Sequence, residues 1–586
     1  MSGRNVRRQK SLDKKEVMQT LETIAIYQEI SGENPFKIAA YRKAAQALER
    51  EARTLEEIEN PADLNGIGKG TATVIESLRD TGRSEVLEEL KANVPSGLPV
   101  LLQLPGLGGK KVAKLYQELG ITDPASLKQA CEQKRVQTLP GFGAKTEEKI
   151  IDALNATKER PERLPVAFML QVATEIEAAL GQFERVNRFA RAGSLRRLKE
   201  TVRDLDYVIS TDDPERVREQ LKAMADISEI VADGEKKVSL QLDKGYSVNV
   251  DVRIVSDDAF ASALHHFTGS KDHHLLMRRI AKAQNKKINE YGVEDSETGK
   301  IITFQNEKGF FAHFGLENIP PEAREGTIET NWFQENWENI DLPQVRGDLH
   351  MHTVWSDGAN SIEEMAKAAI ARGYTYMAIT DHSRFLQVAN GLSEARVLRQ
   401  QEEIRTVNEK YDDIRIFSGI EMDIRPDGTL DYSDETLRQL DFVIASIHSA
   451  FSQPEATIHA RLNAALDHPC VDLIAHPTGR LIGKRQGYLV DLDWLFKRAA
   501  ETGTALELNA NPNRLDLSAD ALKRAVDQGV TIAINTDAHR ADGLEQMTFG
   551  IGTAKKAFLL EHQVLNTWPL EKLESHLKTK RMLTDK

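Results

Sequence analysis

The stretch VRGDLHMH at residues 345–352 ends in two histidines, and it is the first of a series of short apolar runs that decide the fold of the C-terminal part. The runs that follow also end in polar side chains: YMAITDH at 376–382, IRIFSGIEMD at 414–423, DFVIASIH at 441–448, VDLIAH at 471–476, ALELNAN at 505–511 and VTIAINTDAH at 530–539. Such runs are typical of buried parallel strands, and the amphipathic stretches between them predict returning helices. The alternation predicts a β/α barrel, whose active site lies at the C-terminal ends of its strands.

Metal-binding side chains stand at or just after the ends of these runs. One tetrahedral ion uses about four ligands and one octahedral ion about six, so nine candidate ligands indicate two or three divalent ions. Because imidazole is mixed with carboxylate and cysteine is missing from the set, manganese, zinc or iron(II) in a hydrolytic centre is favoured over a structural zinc site. One such histidine alone is more often a polar strand cap, but nine at matching positions are not explained in that way. The candidates are His350, His352, Asp357, His382, Glu421, His448, His476, Asp537 and His539.

The chemistry that this set predicts is phosphoester hydrolysis. Clustered ions lower the pKa of a bridging water and hold both the attacking and the leaving oxygen of a phosphoester. The order HxH, D, H, E, H, H and DxH resembles the polymerase-and-histidinol-phosphatase (PHP) family, and all nine positions of its pattern are filled. The resemblance implies a distorted seven-stranded β/α barrel around a trinuclear metal site, from about residue 344 to the C-terminus.

Composition limits what the rest of the chain can be. With 586 residues there is room for about four domains, and no apolar stretch approaches the roughly 20 residues that cross a bilayer. Cys131 and Cys470 provide no disulfide framework and suit a reducing cytoplasm. The basic segment 1–15 lacks the apolar core of a signal peptide, so we expect a disordered arm that contacts nucleic acid, no membrane contact and a cytoplasmic location. A formal net charge of −13 means that DNA would bind at local sites.

A glycine motif occurs three times near the N-terminus. LNGIGKG at 64–70, LPGLGGK at 104–110 and LPGFGAK at 139–145 each lead into a helical pattern. Glycine lets the backbone approach a phosphate closely, and the amides of the next helix's first turn hold the anion. A helix-hairpin-helix motif binds a DNA backbone in this way without reading bases. A single glycine turn is more often only a turn, but three repeats predict DNA binding at Gly66, Gly68, Gly106, Gly108, Gly141 and Gly143.

The middle of the chain carries a second set of carboxylates. In RDLDYVI at 203–209 the alternation of a strand places Asp204 and Asp206 on one face, and in VNVDVRI, the predicted hairpin partner, Asp251 points the same way. Three converging carboxylates repel one another unless cations lie between them, which favours two magnesium or manganese ions. Such ions activate a 3′-hydroxyl and stabilise a leaving pyrophosphate. A lone DxD is more often a pair of exposed aspartates on a surface strand.

The Gly193-Ser194 turn and the following Arg197 are predicted to hold a triphosphate. With the three aspartates they resemble the nucleotidyltransferase palm of family X DNA polymerases, and HHFTGS at 265–270 resembles the FTGS turn of that family's thumb. The histidines at 265, 266, 273 and 274 are expected to contact substrate rather than a metal. The resemblance implies contacts with the incoming nucleotide or the nascent base pair at His266, Phe267, Gly269, His274 and Arg278.

NPFKIAAYRKAA at 34–45 resembles the small N-terminal domain of family X, in which the residues matching Lys37 and Tyr41 bind the 5′-phosphate across a gap. The resemblance therefore covers the chain from about residue 14 to its end, and it is to the bacterial and archaeal members with a C-terminal PHP domain. Two positions depart from the pattern. Val74 replaces the lysine that forms a Schiff base with a 5′-deoxyribose phosphate, so that lyase activity is not expected. His274 stands where asparagine is often found, which leaves fidelity open.

The predicted fold class is multidomain, α followed by α/β. We expect a helical gap-binding domain at 13–95, a helix-hairpin-helix segment at 96–160, a nucleotidyltransferase palm with a mixed sheet at 161–262, a thumb at 263–326, a linker at 327–343 in which Trp332 and Trp337 dock on a surface, and a distorted (β/α)7 PHP barrel at 344–586.

The predicted function is a DNA-directed DNA polymerase that fills short gaps in base excision repair, with a metal-dependent 3′-5′ exonuclease and an AP endonuclease or 3′-end-processing activity in the barrel. Gapped or primer-template DNA and deoxynucleoside triphosphates are the expected partners of a monomer. Two alternatives stay open: a small-molecule phosphatase with a DNA-tethering N-terminal half, and a non-catalytic gap-binding scaffold. Candidates to hold DNA phosphates at the barrel mouth are Arg480, Lys484, Arg485 and Arg514.

Overall fold

The computed structural model describes residues 14–51, 55, 58, 60–95, 98–101, 107–156, 162–330 and 341–582. The chain divides into two compact units, Met1–Pro161 and Glu162–Lys586. The expected N-terminal arm, Gly106, Trp332 and Trp337 lie outside the described residues. In the described part of the chain, no helix is both long enough and apolar enough to cross a membrane.

The first unit is built from helices, as predicted. One apolar cluster packs Leu21, Leu48 and Ile75 of the first three helices together, and a second cluster packs Leu115 and Ile150 of later helices. The bounds of the helices are α1 (Lys14–Ile30), α2 (Pro35–Arg50), α3 (Lys69–Thr81), α4 (Glu85–Asn93), α5 (Leu98–Leu101), α6 (Gly109–Leu119), α7 (Pro124–Glu132) and α8 (Ala144–Ala156).

The second unit begins with a five-stranded mixed sheet in the order β2-β4-β7-β6-β5, while β1 pairs with β3 separately. The elements are β1 (Leu164–Pro165), α9 (Val166–Leu180), β2 (Arg188–Arg191), α10 (Gly193–Arg196), β3 (Thr201–Val202), β4 (Asp204–Ser210), α11 (Pro214–Lys222), β5 (Ile227–Gly234), β6 (Lys237–Asp243) and β7 (Ser247–Val255). The predicted hairpin between β4 and β7 is wrong, because these strands run parallel and the antiparallel neighbour of β7 is β6. The mixed sheet itself is confirmed.

A small α/β segment follows the palm sheet. Its elements are α12 (Phe260–Thr268), α13 (Lys271–Ala283), β8 (Lys286–Ile288), β9 (Val293–Asp295), β10 (Ile301–Ile302) and α14 (Glu307–Ala312). The three strands form an antiparallel sheet in the order β10-β9-β8. Ser270 caps α13 by accepting a hydrogen bond from the backbone amide of His273, which fixes the turn between α12 and α13.

Seven parallel strands complete the second unit in the order of the sequence. They are β11 (Gly347–Asp348), β12 (Tyr376–Ile379), β13 (Arg415–Asp423), β14 (Phe442–Ser446), β15 (Leu473–Ile474), β16 (Ala505–Asn509) and β17 (Ile532–Asn535). A parallel bridge between Met351 and Ala538 links the ends of the first and last strands, so the barrel is nearly closed. The predicted seven-stranded parallel barrel is confirmed, and its strands are buried on both faces, as continuous apolar runs require.

Helices return the chain between these strands, and two more helices follow the last strand. Ser361 and Glu364 form a reciprocal capping box at the start of the first of them, which satisfies two otherwise unpaired amides. The helices are α15 (Ile362–Ile370), α16 (Glu394–Asn408), α17 (Asp434–Leu437), α18 (Glu455–Leu466), α19 (Leu492–Thr502), α20 (Ala519–Asp527), α21 (Met547–Lys556) and α22 (Leu570–Met582).

Candidate active sites

The nine predicted ligands of the barrel lie together at the C-terminal ends of its strands. Eight of them form three overlapping groups: His352, Asp357, His382 and His539; His350, His352 and Asp537; and His382, Glu421 and His448. Within each group, one ligand atom of each residue lies within 4.8 Å of the ligand atoms of the others. The ninth residue, His476, joins the cluster through its Nε2, which lies 3.0 Å from Glu421 Oε1.

Glu421 stands at the centre of this cluster and is almost completely buried. Its Oε2 lies 2.8 Å from His382 Nδ1 and 3.4 Å from His350 Nε2. Its Oε1 lies 3.2 Å from His448 Nε2. A carboxylate that faces ring nitrogens from several strands would, together with those rings, hold divalent cations.

Two buried ring nitrogens of the cluster, His352 Nδ1 and His476 Nδ1, make no hydrogen bond to any described residue, and His382 Nδ1 and Glu421 Oε2 lie 2.8 Å apart without the geometry of a hydrogen bond. Each unpaired polar atom in a protein interior costs about 1–3 kcal/mol. Divalent cations account for such a concentration, because ring nitrogens and carboxylate oxygens are the donors that these ions bind. The residues present therefore fit a centre of two or three ions.

Burial and neighbouring charges set the protonation of this cluster. Burial, with the rings of His539 and His382, lowers the pKa of His352 to about 3, so this ring is neutral and can bind a cation. Burial opposes protonation of His448 as well, but the carboxylates of Glu421 and Asp423 outweigh it and raise the pKa of that ring to about 10. A cation that binds here replaces the proton, because both interact with the same ring nitrogen and carboxylates.

A second layer of carboxylates orients the ligands, and the sequence reasoning missed it. Glu507 Oε1 accepts a hydrogen bond from His350 Nδ1 at 2.7 Å, and Asp423 Oδ1 lies 3.3 Å from His448 Nδ1. Fixing one nitrogen of each ring leaves the other nitrogen directed at the ions. A signal was available for Asp423, which lies two residues after Glu421 and therefore on the same face of β13.

The basic residues predicted at the barrel mouth differ in their availability. The guanidinium of Arg480 is used internally, on a palm glutamate and two backbone carbonyls, so it is not available to a DNA phosphate. Arg485 donates to a carbonyl at 2.9 Å, and Lys484 is exposed. Arg514 Nε lies 3.8 Å from Asp537 Oδ2, and its buried Nη1 has no partner among the described residues. Arg514 is thus the residue of this group that offers a donor beside the ligand cluster.

The three palm aspartates converge through the parallel pairing of β4 and β7. Asp206 lies opposite Asp251, and Asp204 leaves the same face two residues earlier. Burial, together with repulsion from Asp204 and Asp251, raises the pKa of Asp206 to about 7. Arg203 lies 3.1 Å from Asp204 and Lys237 lies 2.8 Å from Asp251. Carboxylates that repel one another in this way fit divalent cations, which remove the repulsion.

The Gly193-Ser194 turn approaches this site closely. Gly193 has φ of 60°, and a Cβ there would lie 1.9 Å from Asp206 Oδ2, so a side chain is excluded. Arg197 donates from Nη1 to the carbonyl just before Gly269, and a Cβ at Gly269 would lie 3.0 Å from that guanidinium. The predicted triphosphate turn and the FTGS turn, which is predicted to contact the incoming nucleotide, are therefore neighbours.

The four thumb histidines divide into two pairs. His266 and His274 are partly exposed, and their stacked rings have centroids 5.2 Å apart. His265 and His273 are fully buried, with Nε2 atoms 3.2 Å apart and His273 Nδ1 3.1 Å from Glu329. The expected substrate contact is wrong for the buried pair, because these rings lie on the inner faces of α12 and α13.

The remaining predicted thumb contacts are accessible. Phe267 is partly exposed, and the guanidinium of Arg253 lies 4.5 Å from its ring centroid. Arg278 is exposed and lines a cavity of about 460 Å³ together with Lys282, Lys286 and Lys287. A cavity with four cationic side chains suits a phosphate backbone.

The glycine motifs of the first unit lie at the N-termini of helices and have the backbone conformation that glycine favours. Gly66 and Gly141 have φ of 105° and 92°, which glycine adopts without strain. Gly68 and Gly108 are the N-caps of α3 and α6, and Gly143 precedes α8. No described atom lies within 4 Å of a Cβ built at Gly68, Gly108 or Gly143. Internal packing among the described residues therefore leaves open space at these positions, as close approach of a phosphate requires.

Lys37 and Tyr41 lie four residues apart on one face of α2. The Lys37 side chain is 65% exposed and pairs with Glu33 at 3.1 Å, so its ammonium can be reached by an anion. Tyr41 is half-buried, and burial raises the pKa of its hydroxyl. Val74 lies on α3 with its side chain buried in the core, so a reactive amine is missing from that position.

Comparisons with known proteins agree with this arrangement. Residues 13–84 match a helix-hairpin-helix domain, 98–156 a SAM-like helix-hairpin-helix tandem, 263–325 the DNA polymerase beta thumb and 348–537 the PHP domain. The chain is 54% identical to the DNA polymerase/3′-5′ exonuclease PolX of Bacillus subtilis (strain 168), over 97% of this chain and 100% of that protein. Probable phosphatases of Thermoanaerobacter sp. (strain X514) and Acetivibrio thermocellus are 29% and 31% identical, each over 40% of this chain and 95% of the relative.

The fold and the two ligand sets define a nucleotidyltransferase palm and thumb joined to a PHP barrel. The full-length similarity and the thumb and PHP matches are decisive. The chain belongs to the family X DNA polymerases that carry a C-terminal PHP domain, and the predicted resemblance is confirmed.

Proposed function

We propose that the protein is a DNA polymerase that fills short gaps in base excision repair and trims 3′ ends at a separate 3′-5′ exonuclease site. The observation that carries the proposal is the presence of two groups of converging side chains that could hold cations, one in the palm and one in the barrel, with no residue in common. The Bacillus subtilis relative, which is named for both activities and aligns over its full length, supports the assignment of one activity to each site.

In the palm, Asp204, Asp206 and Asp251 would hold two magnesium or manganese ions. When bound, these ions supply the positive charge that activates a primer 3′-hydroxyl and stabilises a leaving pyrophosphate. The protein's own residues place the reactants. Gly193 leaves room for a phosphate beside Asp206, and the guanidinium of Arg197 lies between the two substrate turns. In the metal-free protein the carboxyl of Asp206 keeps its proton up to a pH of about 7.

In the barrel, the nine ligands would hold two or three ions, and manganese, zinc and iron(II) all suit the donor set. When bound, these ions lower the pKa of water and neutralise the charge of a phosphodiester. Glu507 holds His350 in the tautomer whose Nε2 faces the cluster. Arg514 can donate its unpaired Nη1 to a phosphate oxygen beside Asp537. Burial of the ligands keeps the cluster away from bulk water.

The substrate that fits both sites is gapped or primer-template DNA, with deoxynucleoside triphosphates for the palm. The open helix entrances at Gly68, Gly108 and Gly143 would bind the phosphate backbone without reading sequence. Lys37 and Tyr41 would bind the 5′-phosphate on the far side of a gap. The same hydrolysis in the barrel would also act on a phosphodiester at an abasic site or on a blocked 3′ end. We further propose that the protein acts as a monomer.

A second candidate function concerns the barrel alone, and it is hydrolysis of a small phosphate ester. The similarity to probable phosphatases over 40% of the chain favours it. The two functions differ in their response to salt, because affinity for DNA falls steeply with ionic strength and affinity for a small ester does not. The two complete groups of candidate metal ligands argue against a protein that only binds gaps without catalysing a reaction.

A labelled primer on DNA with a one-nucleotide gap tests the proposal directly. With manganese and deoxynucleoside triphosphates, we expect extension by one nucleotide, and with manganese alone we expect stepwise shortening. Both reactions should weaken as salt is raised from 50 to 200 mM, as expected for phosphate contacts. A protein that neither extends nor shortens the primer, but hydrolyses a small phosphate ester, would support the second candidate instead.

A further inference from the structure

The segment that leads from the triphosphate turn to the catalytic strand is bound by the barrel. This 197–200 segment lies between α10 and β3, the short strand that precedes β4, and its last member, Glu200, forms a two-point ion pair with Arg480 at 2.7 and 3.1 Å. Arg480 also donates to the backbone carbonyls of Arg514 and Leu515 in the barrel. The C-terminal end of the segment is therefore fixed to a barrel loop, before the chain enters β4.

Leu198 fits into a notch on barrel helix α21. A Cβ at Gly552 of this helix would lie 2.1 Å from Leu198 Cδ1, so the notch exists only because residue 552 is glycine. Leu198 has φ of 48°, a conformation that costs a residue with a side chain roughly 1 kcal/mol or more. Such a conformation persists only where the surroundings hold it, and here helix α21 is part of those surroundings.

Lys556, the last residue of α21, reaches the same segment. Its Nζ donates to the carbonyl of Arg197 at 3.5 Å and lies 3.7 Å from Glu325 Oε1. Glu325 Oε2 is 2.8 Å from Lys199 Nζ, and its Oε1 is 3.6 Å from Arg197 Nε. The barrel lysine, the two palm cations and this one carboxylate therefore form a single group of interacting charges, in which Glu325 Oε1 and Arg197 Nε make no hydrogen bond to a described residue.

The burial of Lys556 indicates that its contact with the palm is part of the folded structure. Burial, together with the charge of Lys199, lowers the pKa of the Lys556 ammonium to about 8. A surface lysine without a structural task keeps its ammonium in water, since removing it from water is unfavourable. Here the side chain is 16% exposed, and it ends on the backbone of Arg197, the residue that carries the guanidinium between the two substrate turns.

We propose that the barrel is a structural part of the polymerase's nucleotide site, and that Lys556 is the positioning residue which fixes Arg197 for the incoming nucleotide. The proposal rests on the proposed function of the palm. Lys556 acts through the carbonyl of Arg197 and through Glu325, and it does not reach the reacting atoms. Without it the turn has to be ordered when the nucleotide binds, so nucleotide affinity falls, whereas turnover of the bound nucleotide changes little.

Lys556→Met tests this role in gap filling measured over a range of nucleotide concentrations. We expect the KM for the nucleotide to rise about tenfold, as for the loss of a hydrogen bond from a charged group, with kcat within about twofold. Lys556→Arg should restore most of the affinity, because a guanidinium can donate to the same carbonyl. Lys555→Met is the matched control: its ammonium pairs with Asp341 at 2.9 Å, away from the segment, and its KM should not change.

Gly552→Ala tests the second contact without changing a charge. The added methyl group displaces Leu198, so the KM for the nucleotide should rise even though Lys556 is present. The exonuclease rate of Lys556→Met and Gly552→Ala should match that of Lys555→Met, because the barrel cluster is untouched.

A KM for either variant within twofold of the Lys555→Met value would overturn the proposal. Equal losses of extension and exonuclease activity would also overturn it, since they would make Lys556 a residue of general stability. Absence of extension by the unmodified protein and by Lys555→Met is a different outcome: it would refute the proposed function of the palm, and the inference with it.

Discussion

The palm site and the barrel site both gather cation-binding side chains, but the protein alone assembles them to different degrees. In the barrel seven of the nine ligand side chains are at most 13% exposed, only Asp357 and His539 reach 27% and 31%, and supporting carboxylates such as Glu507 hold the rings in place. In the palm the side chains of Asp204 and Asp251 are 27% and 29% exposed, and burial, together with repulsion from these two carboxylates, raises the pKa of Asp206 to about 7. The barrel site is therefore pre-formed, whereas the palm site is completed by its cations and substrate.

This difference shows where each activity is vulnerable. A pre-formed site depends on its supporting layer, because a ligand ring that can rotate no longer faces the ions. The palm depends instead on its few carboxylates and on the neighbouring turn, which the barrel helps to hold. The two activities should therefore respond to different substitutions. A substitution at one site that lowered both activities equally would contradict this difference between the sites.

The largest expected effect is the loss of extension in Asp204→Ala, Asp206→Ala and Asp251→Ala. Each variant removes one of three carboxylates that hold the palm cations, so extension should fall at least about a thousandfold. Exonuclease activity should stay within about twofold, because the barrel ligands are separate. Gap filling and primer shortening are measured on the same DNA, and extension that survived all three substitutions would contradict the palm assignment.

The next effect is expected from the supporting layer of the barrel. Glu507→Gln preserves shape but removes the charge that orients His350, so metal affinity and exonuclease rate should fall about 10- to 100-fold while extension is unchanged. Elemental analysis and primer shortening measure the two quantities. Glu545→Gln, at a barrel carboxylate that is 79% exposed, is the control and should change neither. Normal metal content in Glu507→Gln would argue against a pre-formed site.

A substitution at Lys37, in the predicted 5′-phosphate site on α2, should change the affinity for gapped DNA. Lys37→Ala removes an exposed ammonium from the predicted 5′-phosphate site, so affinity for a gap with a 5′-phosphate should fall about tenfold. Affinity for the same gap without the phosphate should be unchanged, which serves as the internal control in a fluorescence titration. Equal binding of the two gaps by the unmodified protein would remove this role from Lys37 and Tyr41.

The smallest expected effect is on stability. The pKa of Asp206 rises from 3.8 to about 7 on folding, so the folded state binds this proton more tightly than the unfolded state. Stability is therefore lost as the pH rises from about 4 to about 7 and stays lower above that range. Metal-free Asp206→Asn should be more stable than the unmodified protein at pH 8, by on the order of 1–2 kcal/mol, and the difference should shrink at pH 5. Denaturant unfolding in a chelator measures it, and a difference that grew towards low pH would contradict the assignment.

The fold of the barrel could be predicted from the sequence because each buried parallel strand is a continuous apolar run that ends in a polar side chain. The pairing of β4 with β7 could not. Two strands, β5 and β6, intervene along the chain, and which neighbour a strand takes depends on the whole sheet rather than on its own pattern. The alternation nevertheless placed Asp204, Asp206 and Asp251 on one face, since that period holds for parallel and antiparallel pairs alike.

The metal ligands could be predicted from their spacing in the sequence, but most of the residues that hold those ligands in place could not. Glu507 lies 157 residues from the histidine that it orients, and Glu200 lies 280 residues from Arg480. Contacts over such distances leave no local period in the sequence. The burial of His265 and His273 was missed because the two rings lie on different helices, α12 and α13, and the sequence pattern of one helix does not show which of its side chains pack against another helix.

The central claim is that shortening and extension of a primer belong to different sites. The most direct test is the release of mononucleotides from a labelled 3′ end by His350→Ala/His352→Ala, without pyrophosphate, so that the palm cannot run in reverse. The account predicts that the barrel metal is lost, that release falls at least about a hundredfold and that gap filling is unchanged. Release at the unmodified rate, from a double variant shown by elemental analysis to lack its barrel metal, would contradict it.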